Sequence, residues 1–184
     1  RAVTSEAHCN RCHGELEAHD GRYEKLALCL LCHTSGSEDL NEPAIAGGTP
    51  AVTLDSRVLF HKLHAGRFLP SVNGVSTRDN GNRNYDSAPV ALQYVRTGGD
   101  VRDFSHVGFP AFLNRSTPMP RDTGFDGLSD ANKAKENLMR SMPSDCTVCH
   151  GDPDGGGGIE PPAQARQIDV PSRRACGSCH DDVD

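Results

Sequence analysis

The apolar positions of the chain fall into short stretches, and two of these have the three-to-four-residue spacing of a helix. The first predicted helix lies between Asp55, a favourable N-cap, and Gly66, a favourable residue just beyond a helix end. The second covers residues 130–142, with Ser129 as its N-cap. We therefore expect two well-defined helices away from the chain ends.

The remaining pattern is mostly that of loops and turns. Residues 34–53 and 66–89 carry prolines, glycines and Asn-Gly pairs, which favour turns over regular structure. Residues 90–95 predict a strand or a short helix, residues 103–110 a strand or extended segment, and residues 151–166 a flexible exposed loop. The fold class that we expect is mostly irregular or loop structure with short α-helices and little β-structure.

The composition predicts a thin protein core. Only 35% of the 184 residues are hydrophobic and 5% are aromatic, which is little for a chain that must bury its own core. The mixed charge, with a net value of −6, argues against disorder, and without a Lys/Arg-rich stripe we expect no nucleic-acid partner. No apolar run reaches the roughly 18 residues of a membrane span. Something other than side chains is expected to fill the interior.

All eight cysteines belong to four C-x-x-C-H motifs, at residues 9–13, 29–33, 146–150 and 176–180. The two thiols of such a motif can add to the two vinyl groups on one edge of a haem. The His lies about one helical turn after the first Cys, so its ring sits beneath the porphyrin and binds the iron. We expect four haem c groups, attached through Cys9, Cys12, Cys29, Cys32, Cys146, Cys149, Cys176 and Cys179, with proximal ligands His13, His33, His150 and His180.

Two other kinds of site use paired cysteines. Cys9/Cys12 with Cys29/Cys32 have about the spacing of a zinc ribbon, and C-x-x-C pairs also occur as disulfides or redox dithiols. Neither alternative requires a His after every second Cys, so haem attachment is favoured. Because c-type haem is attached outside the cytoplasm, we expect an exported protein, in the periplasm, at the cell surface or outside the cell.

The supply of histidines indicates the ligation state of the irons. Nine histidines are present and four belong to motifs, which leaves five for the opposite sides of four irons. An iron with two imidazoles has no open position for a substrate, so we expect an electron carrier and not an enzyme. The alternative is a multihaem reductase in which one five-coordinate iron acts on a small oxyanion. The candidate distal ligands are His8, His19, His61, His64 and His106.

The five candidates differ in their surroundings. His61 and His64 are three residues apart on the first predicted helix, where they can serve two different haems held close together. His19 precedes a turn that can bring it back over a neighbouring haem, and His106 lies in an apolar run, where a buried His needs a partner such as iron. His8 adjoins the first motif and is either a ligand of a different haem or a surface residue. We expect His8 or His106 to be the spare.

The motifs form two pairs, at residues 9–33 and 146–180, separated by the long segment 34–145. Three of the five candidate distal ligands lie in this segment, so it must fold back over both pairs. We therefore expect one tetrahaem domain over residues 1–184. The last motif ends four residues before the end of the sequence, and we expect a partner subunit or further chain to cover it.

Four segments around the motifs are similar to those of a known family. They are Cys9-Asn-Arg-Cys-His-Gly-Glu-Leu16 with His19, His61-Lys-Leu-His64, Phe104-Ser-His-Val-Gly-Phe-Pro110 and Cys176-Gly-Ser-Cys-His-Asp-Asp-Val183. In these segments the chain resembles outer-membrane multihaem c-type cytochromes of the OmcA/MtrC type. The resemblance covers most of the chain, and the His-Lys-Leu-His element is fairly specific.

The resemblance implies bis-His haems and extracellular electron transfer to minerals, electrodes or partner cells, and it supports His19, His61 and His64 as distal ligands. Members of that family carry ten haems in two haem domains with β-rich domains between them, whereas this chain resembles one haem domain with one site fewer. It is then either part of a longer protein or a small protein that polymerises into a nanowire-like filament, in which a His of one subunit ligates a haem of the next. The expected partners are other multihaem cytochromes or copies of the chain itself.

Overall fold

The computed structural model describes residues 3–38, 52–95, 100–109, 121 and 124–182. Most of the predicted loop over 34–53 therefore lies outside the described residues. Within them the chain is mostly helix and loop with little strand, as predicted, and none of the described helices is long and apolar enough to cross a membrane. The α-helices of these residues are α1 (Glu6–His13), α2 (Leu26–Cys32), α3 (Ser56–Ala65), α4 (Asp130–Met139), α5 (Thr147–His150) and α6 (Arg173–Gly177).

The strands are short and form two separate antiparallel pairs. Strand β1 (Ser76–Thr77) pairs with β2 (Arg83–Asn84), with Ser76 opposite Asn84. Strand β3 (Gln93–Val95) pairs with β4 (Val101–Asp103), with Tyr94 opposite Arg102. Within the segment 90–95, which predicted a strand or a short helix, residues 93–95 therefore form a strand, stabilised by a partner a few residues further along the chain.

Helix α3 begins and ends where the sequence predicts. The carboxylate of Asp55 accepts a hydrogen bond from the amide of Arg57 at 3.0 Å, which satisfies one of the free amides of the first turn. Gly66 ends the helix with a φ of 39°, and a Cβ at this position would lie 2.8 Å from the carbonyl oxygen of Phe104. The loop around Phe104 therefore packs directly against the end of α3, and only glycine leaves room for it.

Helix α4 confirms the second predicted helix but is shorter. The hydroxyl of Ser129 accepts a hydrogen bond from the amide of Asn132 at 3.3 Å, the expected N-cap. The helix ends at Met139 and not at residue 142. The reason is local, because the amide of Met142 donates to the carbonyl of Met139 at 3.2 Å, and this tighter turn does not continue the α-helix.

The main hydrophobic cluster is small, in agreement with the thin core that the composition predicts. It lies where the end of α3 meets the start of β3, and the partly buried Cys179 packs against it. The cluster therefore places the fourth motif next to the centre of the fold. Its buried members are Leu59, Ala65, Leu69, Leu92 and Tyr94.

The two motif pairs pack against each other and against the middle of the chain. Helix α1 contacts α5, and α3 contacts α6. Arg174 of α6 donates to Asp55 at 2.8 Å, and Lys62 of α3 donates to Asp181 at 2.9 Å. Asp182, two residues beyond the fourth motif, is only 6% exposed. The middle of the chain therefore holds the residues that follow the fourth motif, whereas His180 itself is exposed.

Candidate haem-attachment sites

Each of the four motifs lies on or beside a short helix. The first motif runs along α1, the second along α2 and the third along α5, while the fourth leaves the end of α6. In the last three motifs the amide of the histidine donates to the carbonyl of the first cysteine, at 2.9, 3.0 and 3.0 Å. This one-turn hydrogen bond places the cysteine and the histidine on one side of the chain, as haem attachment requires.

Three of the four motif histidines lie opposite a histidine from another part of the chain. A metal–imidazole bond is about 2 Å long and the ring centre lies about 1 Å beyond the nitrogen, so two rings on one iron have centroids about 6 Å apart. Each ring can turn about its iron–nitrogen bond, so the angle between the ring planes does not affect this distance. The observed centroid separations fit it, and they are 6.2 Å for His13 and His64, 6.1 Å for His33 and His19, and 6.0 Å for His150 and His61.

Backbone carbonyls orient four of these six rings. In each case Nδ1–H donates to a carbonyl oxygen, which can only accept, so the lone pair of Nε2 remains free for a metal. The carbonyl that accepts this hydrogen bond belongs either to the same helix as the histidine or to another segment that packs beside it. The pairs are His61 with Arg57 at 2.6 Å, His64 with Phe60 at 2.7 Å, His150 with Val3 at 2.8 Å and His33 with Leu54 at 3.0 Å.

The surroundings of His61 favour the neutral ring that binds iron. Burial, the largest influence, lowers the pKa of His61, and the hydrogen bond to the Arg57 carbonyl acts in the opposite direction. His150 and His64 lower the pKa further, because they are nearby groups that carry positive charge when protonated. His61 is therefore uncharged at neutral pH.

Helix α2 provides a test of whether a large apolar group fits this chain. Its sequence, Leu-Ala-Leu-Cys-Leu-Leu-Cys, is apolar all round, yet none of its residues is buried. Leu31, for example, is 73% exposed. An all-apolar helix is normally buried, so a macrocycle attached at Cys29 and Cys32 would cover a surface that the protein itself leaves open. The residues present fit a haem at this motif.

The whole chain, residues 1–184, matches the family described as outer membrane cytochrome MtrC/MtrF-like, domains II/IV. The chain belongs to this family. Among solved structures it is similar to the crystal structure of the outer membrane decaheme cytochrome OmcA, with a TM-score of 0.59 and 22% identity. That match covers 98% of this chain and 19% of the OmcA chain, so this chain spans about a fifth of that protein. A sequence search of curated proteins found no match.

Membership of the MtrC/MtrF-like family confirms the resemblance that the motifs indicate. It places the chain in an exported, outer membrane class of cytochrome. The similarity to OmcA confirms the fold of mostly helix and loop with little strand.

Two of the motif thiols have a pKa well above that of a reactive cysteine. Burial raises the pKa of Cys149 to about 11, and the neighbouring thiols of Cys9, Cys12 and Cys146 add to this effect. Burial likewise raises the pKa of Cys179 to about 11, with the nearby carboxylate of Asp181 as the next cause. Reactive cysteines need a lowered pKa, so Cys149 and Cys179 do not have the character of redox-active thiols.

The same electrostatic neighbours give the order in which the motifs lie. Burial, Glu6 and Cys29 raise the pKa of Cys9, which places the second motif beside the first. Cys9 also acts on Cys149, so the first motif is beside the third. Burial and other groups including Cys176 raise the pKa of Cys146, which places the third motif beside the fourth. Through these thiols the first motif adjoins the second and the third motifs, and the third motif adjoins the fourth.

The zinc-ribbon alternative requires four metal-binding side chains around one point. Among the residues that the structure describes, which include all eight cysteines, no group of three or more His, Cys, Asp or Glu converges in this way. The cysteine pairs are therefore placed as separate sites and not as one tetrahedral cluster.

His106 is not placed as the sequence predicts. We expected a buried ring, but His106 is exposed in a turn after β4. The reason is that the apolar side chains around it, Phe104 and Phe109, pack inward against the core and against His64, while the turn directs His106 to solvent. His180 is also exposed. Within the described residues neither ring contacts another, so the structure does not bring His106 opposite the fourth motif.

His8, the alternative distal ligand, is neither opposite a motif histidine nor a surface residue. It is only 5% exposed, and its Nδ1 lies 2.8 Å from the hydroxyl oxygen of Ser5. Its Nε2 faces the backbone of Gly151, where an added Cβ would be 2.8 Å away. Burial lowers the pKa of His8, with Arg11 and His150 as further causes. A buried packing role was not among the expectations for this residue.

Sequence reasoning also missed the carbonyl groups that hold the histidine rings. The carbonyls of Arg57 and Phe60 are four residues before His61 and His64 and could have been found from helical spacing. The carbonyl of Val3 comes from the opposite end of the chain, and nothing in its side chain indicates this contact.

Proposed function

We propose that this chain is an electron-transfer module that binds four c-type haems, three of them with a histidine on each side of the iron. The observation that carries the proposal is the set of three histidine pairs with ring centroids 6.0–6.2 Å apart. Haem iron, when bound, supplies reversible one-electron chemistry, and two imidazole ligands leave it no position for a substrate. We propose that residues 1–184 form one such tetrahaem domain.

The proposed roles follow from the placement of each side chain. The eight motif cysteines form the thioethers, and His13, His33, His150 and His180 are the proximal ligands. The proposed distal ligands are His64 for the first site, His19 for the second and His61 for the third.

The chain also sets the electronic character of the ligands. A carbonyl that accepts from Nδ1–H makes the imidazole more basic, and a more basic ligand stabilises the ferric state. Four of the six paired rings have this bond. Low reduction potentials at these sites are the expected consequence.

Helix α3 supports a continuous series of sites. His61 and His64 lie three residues apart, and one faces the third motif while the other faces the first. The amide of Leu26 donates to the carboxylate of Glu6 at 3.0 Å, which joins the starts of α2 and α1 and so the second site to the first. We propose that the sites of the electron path are ordered second, first, third, fourth.

Beyond the module, we propose extracellular electron transfer, with other multihaem cytochromes or further copies of this chain as partners and minerals or electrodes as final acceptors. Membership of an outer membrane cytochrome family supports this setting.

Two measurements on the purified protein test the proposal. Mass spectrometry should give the mass of the chain plus four haem c groups, and a spectroelectrochemical titration should show all of them reduced and reoxidised reversibly. A colourless protein, or one that carries zinc at the motifs, would overturn the proposal.

The fourth site favours a second candidate function. His180 is exposed and, in the described part of the chain, no other histidine ring lies against it. We propose that its iron takes its sixth ligand from outside the chain. That ligand is either a small oxyanion, as in a reductase, or a histidine such as the exposed His106 of a second copy, as in a filament.

Ferric spin state against protein concentration separates these possibilities. A high-spin signal that is independent of concentration and disappears with nitrite supports the reductase. A high-spin signal that disappears as the protein is concentrated, and remains in His106→Ala, supports ligation between copies. If the dilute protein is wholly low-spin, the fourth iron is ligated within its own chain and this second candidate is wrong.

A further inference from the structure

The residues before the first motif lie over the third motif. The carbonyl of Val3 accepts a hydrogen bond from Nδ1 of His150 at 2.8 Å, and the hydroxyl of Thr4 donates to the carbonyl of Cys149. Two consecutive residues from one end of the chain therefore hold the last two residues of a motif about 145 positions away. Such a contact orients the proximal ligand from outside its own helix.

His8 occupies the centre of this contact. Its Nδ1 is 2.8 Å from the hydroxyl oxygen of Ser5. Ser5 precedes α1, where a serine hydroxyl usually caps a backbone amide, but here it makes no cap bond and contacts the His8 ring. The other side of the ring faces Gly151, which follows the proximal His150 directly and has a φ of 78°. The ring thus fills the space between the N-terminal segment and the third motif.

His8 also belongs to the helix that carries the first motif. Cys9 and His13 follow it on α1, and α1 packs against α5, which carries the third motif. His8 therefore lies between the segment that holds His150 and the helix that carries the first motif. Replacement of this buried ring, which has a polar contact at one nitrogen, by a smaller side chain would lower the stability of the protein.

We propose that His8 is a positioning residue for the third haem site and not an iron ligand. It holds the segment from Val3 to Ser5 in place, so that the Val3 carbonyl keeps its hydrogen bond to the proximal His150 and keeps the potential of that site low. This inference rests on the proposed electron-transfer function, since it concerns the ligand of a haem iron.

The test compares substitutions at His8 with matched controls in the intact holoprotein. His8→Asn keeps a polar atom near Ser5 but cannot reach Gly151, whereas His8→Gln reaches further and is the conservative replacement. Asn82→Ala removes an exposed polar side chain outside the motifs and is the control. His61→Ala, which removes the proposed distal ligand, identifies the titration component of the third site. Thr4→Val breaks the same contact without changing His8, in case His8→Asn does not fold.

Haem content by mass spectrometry and low-temperature EPR come first. His8→Asn should keep all its haems and the low-spin signals of the wild type. In the redox titration the component that His61→Ala also alters should move to higher potential in His8→Asn and Thr4→Val, and return towards the wild type in His8→Gln. Asn82→Ala should leave that component unchanged.

Several results would overturn the inference. Conversion of one low-spin iron to high-spin in His8→Asn would make His8 a ligand. Titrations of His8→Asn and Thr4→Val that superimpose on the wild type would remove the positioning role while the electron-transfer function stands. A wild-type protein without haem would contradict the function itself, and the inference with it.

Discussion

At the scale of single residues, the backbone partner of a histidine ring determines which ring nitrogen is free to bind a metal. Four paired rings donate Nδ1–H to a carbonyl, and this leaves Nε2 as the only nitrogen able to bind a metal. His106 is exposed and His8 is buried against Gly151, so neither has this arrangement. The histidines therefore differ in their surroundings although their side chains are identical.

Substitution of single distal histidines tests this difference. Each of His19→Ala, His61→Ala and His64→Ala should convert one iron from low-spin to high-spin with unchanged haem content, because each removes one ring of a pair. Magnetic circular dichroism of the oxidised variants measures the conversion. His106→Ala is the control and should match the wild type in dilute solution. An unchanged spectrum for any one of the three would exclude that residue as a ligand.

The motif residues could be predicted from spacing alone, because the chemistry of attachment is local. The pairing of distal with proximal histidines could not, since His13 meets His64 only after the middle of the chain folds back. His106 was predicted to be buried from its apolar neighbours, and this was wrong because the partly buried Phe104 and Phe109 pack against the core and His64 while the turn between them faces solvent.

At the scale of elements, α3 is the helix on which most of the site depends. Its N-cap Asp55 is 1% exposed and accepts from both Arg57 and Arg174, so the cap also joins α3 to α6. The hydrogen bond from the Arg57 side chain is the largest cause that lowers the pKa of Asp55 from 3.8 to about 2, and burial opposes it. Asp55 is therefore charged at all but strongly acidic pH.

Asp55→Asn should destabilise the protein in a pH-dependent way. A carboxyl whose pKa is lowered by folding contributes stability above its unfolded pKa, and this is lost as the pH falls through the folded value. With half-exposed arginine partners, we expect a loss of about 1–2 kcal/mol at pH 7. The difference from the wild type should shrink between pH 4 and pH 2, around the values of 3.8 and about 2.

Denaturant unfolding followed by circular dichroism at several pH values measures this effect. Asp154→Asn is the matched control, because it removes an exposed ion pair with Arg166 and should change stability little at any pH. A loss in Asp55→Asn that is the same at pH 7 and at pH 2 would show that the charge of the cap is not its cause.

The end of α3 gives a second prediction at this scale. Gly66→Ala should destabilise the protein by more than Gly81→Ala, although both glycines have positive φ. A Cβ at residue 81 meets no atom within 4 Å, whereas one at residue 66 lies 2.8 Å from the Phe104 carbonyl. Strained backbone alone costs about 1–2 kcal/mol in both variants. Any further loss in the free energy of unfolding of Gly66→Ala, measured by denaturant unfolding, therefore reports the packing of the Phe104 loop. Equal losses would contradict that packing.

The helices α3 and α4 were predictable because capping residues and apolar spacing are local signals, and their caps are confirmed. The end of α4 at Met139 was not predictable, because it depends on a tighter turn that no residue type in the sequence indicates. The exposed apolar helix α2 is also informative, since its pattern makes sense only with an apolar group beside it.

At the scale of the whole molecule, the order of the sites in space differs from their order in sequence. The first and third motifs are neighbours because α1 packs on α5 and because His61 and His64 lie on one helix. The fourth motif is held by bonds from the middle segment to Asp181, including one from the Ser71 amide at 3.0 Å. Sequence spacing predicted two motif pairs held together by the middle segment, and only the folded chain shows that the first and third motifs are neighbours.

Deletion of single attachment sites tests this order. A variant without the third site, Cys146→Ala with Cys149→Ala, should lose electron exchange between the first and fourth sites. The reason is that the third haem, which lies between these two sites in the proposed order, is then missing. Removal of the second site, Cys29→Ala with Cys32→Ala, should leave that exchange intact. Line shapes of the haem methyl signals in half-reduced samples measure the exchange. Equal behaviour of the two variants would contradict the proposed order.

The paired histidines are the central claim, and quantitative low-temperature EPR of the fully oxidised wild-type protein tests it most directly. The spin count, divided by the haem content of the same sample, should give at least three low-spin ferric irons with bis-imidazole signals for every chain. This follows from the three ring pairs at 6.0–6.2 Å. Fewer than three such irons in a protein that carries four haems would contradict the assignment of His19, His61 and His64 as distal ligands.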